Sequence, residues 1–446
     1  MFCKISKRTD EPYDIYAGKL ADYLISKLYY RKIAIINNQP YLYHDGVFKL
    51  DEDGKELKES IKYLIVEELI EPARIKRVYE LIIMNRAITR KFEDMNQFPV
   101  EWVCFRNGMY NPVTGELLVH SPDYLCTNMI PHDFKPDAVY KDSVCERFVR
   151  GLIPDEEDRE MFLRYAGICF TRDTRLQKFF VIVGLPGTGK SVLLNMLTRC
   201  IGRANISNIS LQDLNKRFYP TLLYGKLTNI NADLPRTALE TTDAIKKIVG
   251  EDDVIGEIKG GAIFSFRSYA KLLFSTNEFP QMLDEKSNAF FRRILCVEVT
   301  EEPEYIENLQ AGLEESLDGF IHECMRALGD FYKGGAQPID SANSKMMVKQ
   351  LYREADSVQA FLDSFENWLE GEKIERKEMY TAYVAYCGNE GHRPLNKSGF
   401  YKNLRGKGVR EMKIKGENYF KKLPPSFPLG GKITPLAVPD DIPFDD

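Results

Sequence analysis

Residues 179–194 read FFVIVGLPGTGKSVLL, and no other stretch limits the fold of this chain so tightly. Phe179 to Val183 is a short apolar run suited to a parallel strand buried on both faces. Gly184-Leu185-Pro186-Gly187-Thr188-Gly189-Lys190-Ser191 follows and matches G-x-x-x-x-G-K-S. Leu193, Leu194 and Leu197 then recur at helical spacing. Glycines let backbone N–H groups converge on phosphate oxygens, and the helix N-terminus adds partial positive charge. Lys190 is expected to reach the β- and γ-phosphates, and Ser191 to offer its hydroxyl to magnesium. The expected cofactors are ATP and Mg2+, with Gly184, Pro186, Gly187, Thr188, Gly189, Lys190 and Ser191 as the nucleotide contacts. A glycine turn that merely precedes a helix is the plain alternative, and it leaves the agreement of strand, loop and helix unexplained.

A length of 446 residues is ample for two to four domains. A net charge of -5 excludes a polycation, so any nucleic-acid surface must be a local patch. The 9 cysteines include no C-x-x-C pair and are odd in number, which argues against a disulfide framework and for a reduced setting. The N-terminus MFCKISKRTDEPYD lacks the apolar core of a signal peptide, and no apolar run approaches the ~20 residues of a membrane span. A cytoplasmic protein with no membrane partner is expected. The five histidines are scattered and give no zinc spacing.

The fold class expected is multidomain α/β. Residues 1–140 form a mixed α+β domain. In it, Leu20, Leu24 and Leu28 share a helix face, PYLYHDGVFKLDEDGK (40–55) is a hairpin, and FRNGMYNPVTGELLVH (105–120) is hairpin-like. Residues 141–340 hold the P-loop core with a central parallel sheet. GGAQPIDSANS (334–344) is a linker by composition, and 345–423 is a small helical domain with a terminal hairpin. Within it Phe361, Phe365, Trp368 and Leu369, and again Tyr380, Val384 and Cys387, recur at helical spacing and read as core. Residues 424–446 are proline-rich, end DDIPFDD and are expected to be a disordered acidic tail.

A P-loop enzyme needs an acid at the end of a neighbouring strand to hold magnesium and orient water. KLTNINADLP (226–235) supplies a strand and then Asp233. KLLFSTN (271–277) ends in Asn277, which can position the attacking water. Arg292 and Arg293 head the next apolar strand, ILCVEV, where an arginine can act on a neighbour's nucleotide. The structural alternatives are a helix N-cap for Asp233, a turn residue for Asn277, and a solvated or salt-bridged pair for the arginines.

In this order, GLPGTGKS, acidic strand end, FSTN and FFRRILCVEV, the chain resembles a superfamily 3 helicase of the AAA+ class. More narrowly it resembles the poxvirus-type and phage/plasmid primase-helicase family. KIVGEDDVIGEIKGGAIFSFRSYAKLLFSTNEFP is close to that family's wording, and the likeness extends outward to HSPDYLCTNMIPHDFKPDA and to DSVQAFLDSFENWL…EMYTAYVAYC…GFYKNLRGKG. The resemblance implies an N-terminal collar-like domain, an AAA+ core and a C-terminal winged helix. It makes Lys190 and Ser191 the P-loop pair, Asp233 the Walker B acid, Asn277 the sensor asparagine, and Arg293, with Arg292 as alternative, the arginine finger. Many members carry two adjacent acids in Walker B, whereas here Asp233 is flanked by Ala232 and Leu234.

VIGEIKGGAIFSF (254–266) reads as a hairpin with Lys259 at its tip. The resemblance implies that such a hairpin enters the channel of a hexamer, so Lys259 is the expected contact to single-stranded DNA. An idle turn lysine is the alternative. Between Arg393 and Lys422 the chain carries a net charge of +8. Lys397, Lys402, Arg405, Lys407, Lys413 and Lys415 are the expected duplex-DNA contacts there, with NKSGFYKNLRGKG as the recognition helix and MKIKGENYFKK as the wing. A basic but idle surface is the alternative. DDIPF (440–444) resembles the acidic tip by which bacterial single-stranded-DNA-binding proteins recruit partners, although Asp445 and Asp446 follow it.

The reading that absorbs most of these features is an ATP-dependent, hexameric replicative DNA helicase of a phage or mobile element. Its polarity would be 3′ to 5′, by resemblance, and host or phage replication proteins would be further partners. The alternative is an origin-binding initiator ATPase that assembles on duplex DNA with little unwinding of its own. A remodelling ATPase without translocation is the third reading, and the basic C-terminal region argues against it.

Overall fold

The computed structural model describes residues 2–232, 234, 239, 241–257, 263–280, 288–300, 304–337, 339–364, 373–390, 394–414 and 417–422. The N-terminal region opens with a small hairpin, Cys3–Ile5 against Pro12–Ile15, followed by a helix over Ala17–Tyr23. Leu20 and Leu24 are buried, but Leu28 is 49% exposed, contrary to the expected shared face. The cause is local. The helix continues over Leu24–Leu28 as a π-helical turn, with Tyr29 N bonded to Leu24 O at 2.7 Å, and five-residue spacing carries Leu28 off the 3.6-residue stripe. The predicted hairpin at 40–55 is present. Gln39–His44 and Val47–Leu50 pair across an Asp45-Gly46 turn, both residues at positive φ, and Ile33–Ile36 completes the antiparallel sheet. A second antiparallel sheet joins Val103–Phe105, Gly108–Tyr110 and Leu117–Leu118.

Two helices lead into the centre, α1 (Val144–Leu152) and α2 (Glu156–Ile168). Each starts on a capping side chain: Ser143 accepts from Glu146 N at 3.1 Å, and Asp155 accepts from Asp158 N at 3.0 Å. The central strands are β1 (Phe179–Gly184), β2 (Ile206–Ser207), β3 (Thr228–Asn231), β6 (Lys271–Thr276) and β7 (Ile294–Val299). They form one parallel sheet in the order β2-β3-β6-β1-β7. Between β3 and β6 the chain makes a separate antiparallel pair, β4 (Asp253–Glu257) with β5 (Ile263–Arg267). Strand β1 explains its own unbroken apolar sequence. Phe180 and Ile182 pack into one core with α1, α2, α3 (Lys190–Ile201) and α5 (Leu317–Lys333). Phe179 and Val181 pack into the other, with Ile245 and Ile248 of α4 (Asp243–Val249) and with Phe290.

The segment 334–344, linker-like in composition, runs into a helix, α6 (Ala342–Ala355). This helix packs on the parallel sheet: Ser344 Oγ accepts from Cys296 N at 2.9 Å, and Val348 joins the core on that face. Lys271, uninformative as sequence, is buried at the head of β6. Its ammonium donates to the carbonyls of Thr171 and, at 2.8 Å, Tyr269, and burial pushes its pKa down to about 7.

The C-terminal unit comprises α7 (Ser357–Ser364), β8 (Lys373–Glu375), α8 (Arg376–Asn389), α9 (Lys397–Gly406), β9 (Val409–Ile414) and β10 (Glu417–Lys422). Its strands pair antiparallel in the order β8-β10-β9. Phe361, Met379, Tyr383, Cys387, Phe400, Leu404 and Phe420 make its core. Val384, expected inside, is 37% exposed, and Tyr383 takes its place, stacked on Phe400 at 4.2 Å. The α8 stripe runs 379-383-387 rather than 380-384-387. Phe365, Trp368, Leu369 and the tail 424–446 lie outside the described residues. All nine cysteines are free thiols. Among the described residues, no helix is long and apolar enough to cross a membrane.

Candidate nucleotide site and nucleic-acid interface

The loop 184–189 leaves the C-terminal end of β1 and turns into α3 at Lys190. A side chain at Gly184 would lie 2.1 Å from Val299 O on the adjacent strand, so only glycine fits. Gly187 and Gly189 have φ of 86° and 96°, the left-handed region that glycine enters without penalty. Thr188 is buried and closes the loop through Oγ1 to Leu185 O at 2.9 Å. Leu185, Pro186, Gly187 and Ser191 are exposed, so the loop faces outward.

Lys190 is only 6% exposed. Its ammonium donates to Gly184 O at 2.6 Å, Leu185 O at 2.7 Å and Asn277 Oδ1 at 3.2 Å. The sheet explains the meeting with Asn277. β6 lies beside β1 with Thr276 opposite Val183, so the residue after Thr276 lands next to the loop. Eighty-seven residues separate the pair in sequence, and one strand pairing joins them. This glycine cradle with an inward-held ammonium fits a polyphosphate; bound magnesium would offset phosphate charge, with Ser191 the residue presented to hold it.

Asp233 lies outside the described residues, as do Lys259 and Lys415. The chain next to Asp233 is held: Leu234 N donates to Ser275 O at 3.0 Å, which returns the segment after β3 to the end of β6. Arg292 and Arg293 sit at the opposite end of the sheet from the loop. Phe179 N donates to Arg293 O at 2.7 Å at the entry of β1, while Val299 pairs Gly184 at its exit. Six strand residues at ~3.3 Å each put Arg293 roughly 20 Å from the loop of its own chain. The structure thus keeps these arginines apart from the Lys190 and Asn277 pair. Arg293 is half-buried and donates to Ala289 O, whereas Arg292 is exposed.

In the C-terminal unit the N-termini of α8 and α9 open on a groove of about 660 Å³. Lys397, Lys402 and Arg405, three of the residues expected to contact duplex DNA, line it together with Arg376, Lys377 and Tyr401, and with the carboxylates of Glu375 and Glu417. Glu411 orients two of the cations, accepting from Arg376 at 2.8 Å and from Arg405 at 2.9 Å. Arg376 also lies over the Tyr401 ring at 4.0 Å. Lys407 does not line the groove; its ammonium is bound to Asp356 at 2.5 Å, at the start of α7. Lys413 is exposed on β9, one residue before that strand ends. Arg376 and Lys377 were missed in sequence, although a signal existed. Both helices begin with cations at the end where the helix dipole disfavours them, an arrangement that an anion would stabilise. Among the described residues, no cluster of His, Cys, Asp and Glu is suited to a metal.

Three family models match successive parts of this chain. They are described as D5 N terminal like (residues 21–154), a family of unknown function, DUF5906 (182–293), and Poxvirus D5 protein-like (353–422). A DNA Primase-polymerase of Nitratiruptor phage NrS-1 is 22% identical over 155 residues; the match spans 34% of this chain and 21% of that protein's length. Among solved structures, the A form of the NrS-1 C-terminal region is similar with a TM-score of 0.54, at 14% identity, over 93% of this chain and 100% of that one. A second structure of that region gives 0.54 at 13% identity over 91% and 99%. These likenesses support a relationship to a phage primase-helicase family, and the solved structures share the mixed α/β fold, which this chain builds on a five-stranded parallel sheet.

Proposed function

We propose that this chain is an ATP-dependent DNA helicase acting in phage or mobile-element replication. The observation that carries the reading is the meeting of Lys190 and Asn277 at 3.2 Å across the exits of β1 and β6. A lysine that neutralises phosphate charge and an amide that holds water in line are the two groups a P-loop hydrolase brings together. The order β2-β3-β6-β1-β7, with an extra strand between the loop strand and the acidic strand, supports an AAA+ core. Asp233 would hold magnesium from the end of β3, next to the segment pinned by Leu234.

ATP would sit at a subunit boundary of a hexamer. Arg293, about 20 Å from its own loop by strand length, serves only a neighbour's nucleotide, with Arg292 its alternate. The β4–β5 hairpin would carry Lys259 against single-stranded DNA, with 3′ to 5′ movement taken from the family resemblance. The C-terminal unit would act as a winged helix, gripping duplex phosphates in the groove between α8 and α9. That groove also gives the origin-binding initiator its observation, since five cations line it, three of them (Arg376, Lys377 and Lys397) in the first turns of α8 and α9.

The deciding experiment is unwinding of forked and tailed duplexes with ATP and Mg2+, comparing wild type with Lys190→Ala. Strand separation that needs a 3′ tail and is lost in the variant is expected. Lys190-dependent hydrolysis with no strand separation on any substrate would replace the helicase with the initiator.

A further inference from the structure

Residues 208–224 run between strands β2 and β3 of the parallel sheet and are held at both ends by side chains. At the sheet end, Asn229 Oδ1 accepts from Ile209 N at 2.8 Å, and Asn229 Nδ2 donates to Ile209 O at 2.9 Å. Asn231 Nδ2 donates to Asn208 Oδ1 at 2.5 Å. Asn229 and Asn231 belong to β3, the strand that leads to Asp233. At the far end the segment grips a single residue of the hairpin stem, Glu257. Arg217 Nε donates to Glu257 Oε2 at 2.6 Å, and its Nη2 donates to Oε1, a two-pronged pair. Thr221 Oγ1 accepts from Glu257 N at 2.7 Å and donates to Glu257 O at 3.1 Å. Both the side chain and the backbone of one residue, the last of β4, are therefore clamped.

Within the clamp at the hairpin end, between Arg217 and Thr221, stands a strained residue. Phe218 has a φ of 73°, rare for an aromatic side chain, and the Arg217 guanidinium lies over its ring at 4.9 Å. Such outliers persist only where the surroundings hold them, and they gather at switching segments. A segment tied to β3 at one end and to the hairpin at the other, with strain held at the hairpin end, has the build of a coupling strap.

We propose that residues 208–224 couple the end of β3 to the β4–β5 hairpin, with Arg217 and Thr221 as positioning residues that set the hairpin through Glu257. The proposal rests on the reading of the hairpin as the DNA-moving element. It places neither Arg217 nor Thr221 at the nucleotide, so basal hydrolysis is independent of both. The strap matters only when DNA on the hairpin must speak to the nucleotide site.

The experiment uses the full chain and measures steady-state ATP hydrolysis with and without oligo-dT, beside a thermal melt. Wild type is compared with Lys190→Ala, Arg217→Glu, Glu257→Arg, the Arg217→Glu/Glu257→Arg double variant, Thr221→Val and Thr221→Ser. Each single reversal and Thr221→Val should keep basal hydrolysis and lose stimulation by oligo-dT by roughly five- to tenfold, a normal size for coupling between sites. The double reversal and Thr221→Ser should restore it. Unchanged stimulation in the single variants, or basal hydrolysis falling in step with it, overturns the strap alone. A wild type whose hydrolysis ignores DNA, or survives Lys190→Ala, overturns the helicase reading and the strap together.

Discussion

At the scale of single residues, the candidate site is a matter of what stands beside Lys190. If Asn277, bonded to Lys190, serves as the proposed water-holding amide, its role is separable from binding. Asn277→Ala removes the amide that would orient water but leaves Gly184, Gly187 and Gly189 to cradle phosphate. Nucleotide affinity should therefore change by less than about threefold, while hydrolysis falls by roughly 10²-fold, the usual loss when a transition-state contact is removed. Fluorescent-nucleotide titration and a phosphate-release assay separate the two. A parallel loss of binding would make Asn277 a prop for the loop. The motif residues were legible because loop chemistry admits few residue types. Lys271 was not: nothing in SYAKLLFS distinguishes a solvated lysine from one sealed against the Thr171 and Tyr269 carbonyls, because that depends on α2 and its following turn covering the sheet.

At the scale of elements, a recognition helix read over NKSGFYKNLRGKG and a wing over MKIKGENYFKK fall where α9, β9 and β10 stand, but periodicity mistook the inner face of α8 by one residue. A helix with Tyr380, Tyr383, Val384 and Tyr386 on adjacent faces has no clean apolar stripe, so packing against Phe400 decides. The π-helical turn at Leu24–Leu28 escaped for a similar reason, since a five-residue spacing leaves no mark in a leucine pattern. The dipole argument at α8 and α9 yields a test of its own. Arg376→Ala and Lys397→Ala should each weaken duplex binding regardless of sequence. Each should lower the slope of log K against log salt by about 1, as expected when one phosphate contact is lost. Lys407→Ala, already committed to Asp356, should leave that slope unchanged. Binding isotherms at several salt concentrations decide it, and equal slopes in all three variants would remove the groove from the interface.

At the scale of the whole molecule, the parallel sheet separates two groups that hydrolysis would need together. Lys190 sits where β1 ends, and Arg293 sits where β7 begins. A guanidinium cannot cross the roughly 20 Å of strand between them, so if Arg293 serves a nucleotide, it is a neighbouring chain's. If the site is shared, Lys190→Ala and Arg293→Ala are each inactive as pure proteins for different reasons. The first lacks the loop cation and the second lacks what it lends its neighbour. Mixed before assembly, they form some boundaries in which the Arg293→Ala subunit presents an intact loop and the Lys190→Ala subunit presents an intact arginine. Random assembly of a head-to-tail ring from equal parts makes about a quarter of the boundaries intact. ATP hydrolysis should return to about that fraction of wild type in the mixture and stay near zero in either protein alone. Repeating the mixture with Arg292→Ala assigns the finger between the adjacent arginines. No recovery in either mixture would mean that neither arginine reaches across, and that the pair serves the fold at the head of β7.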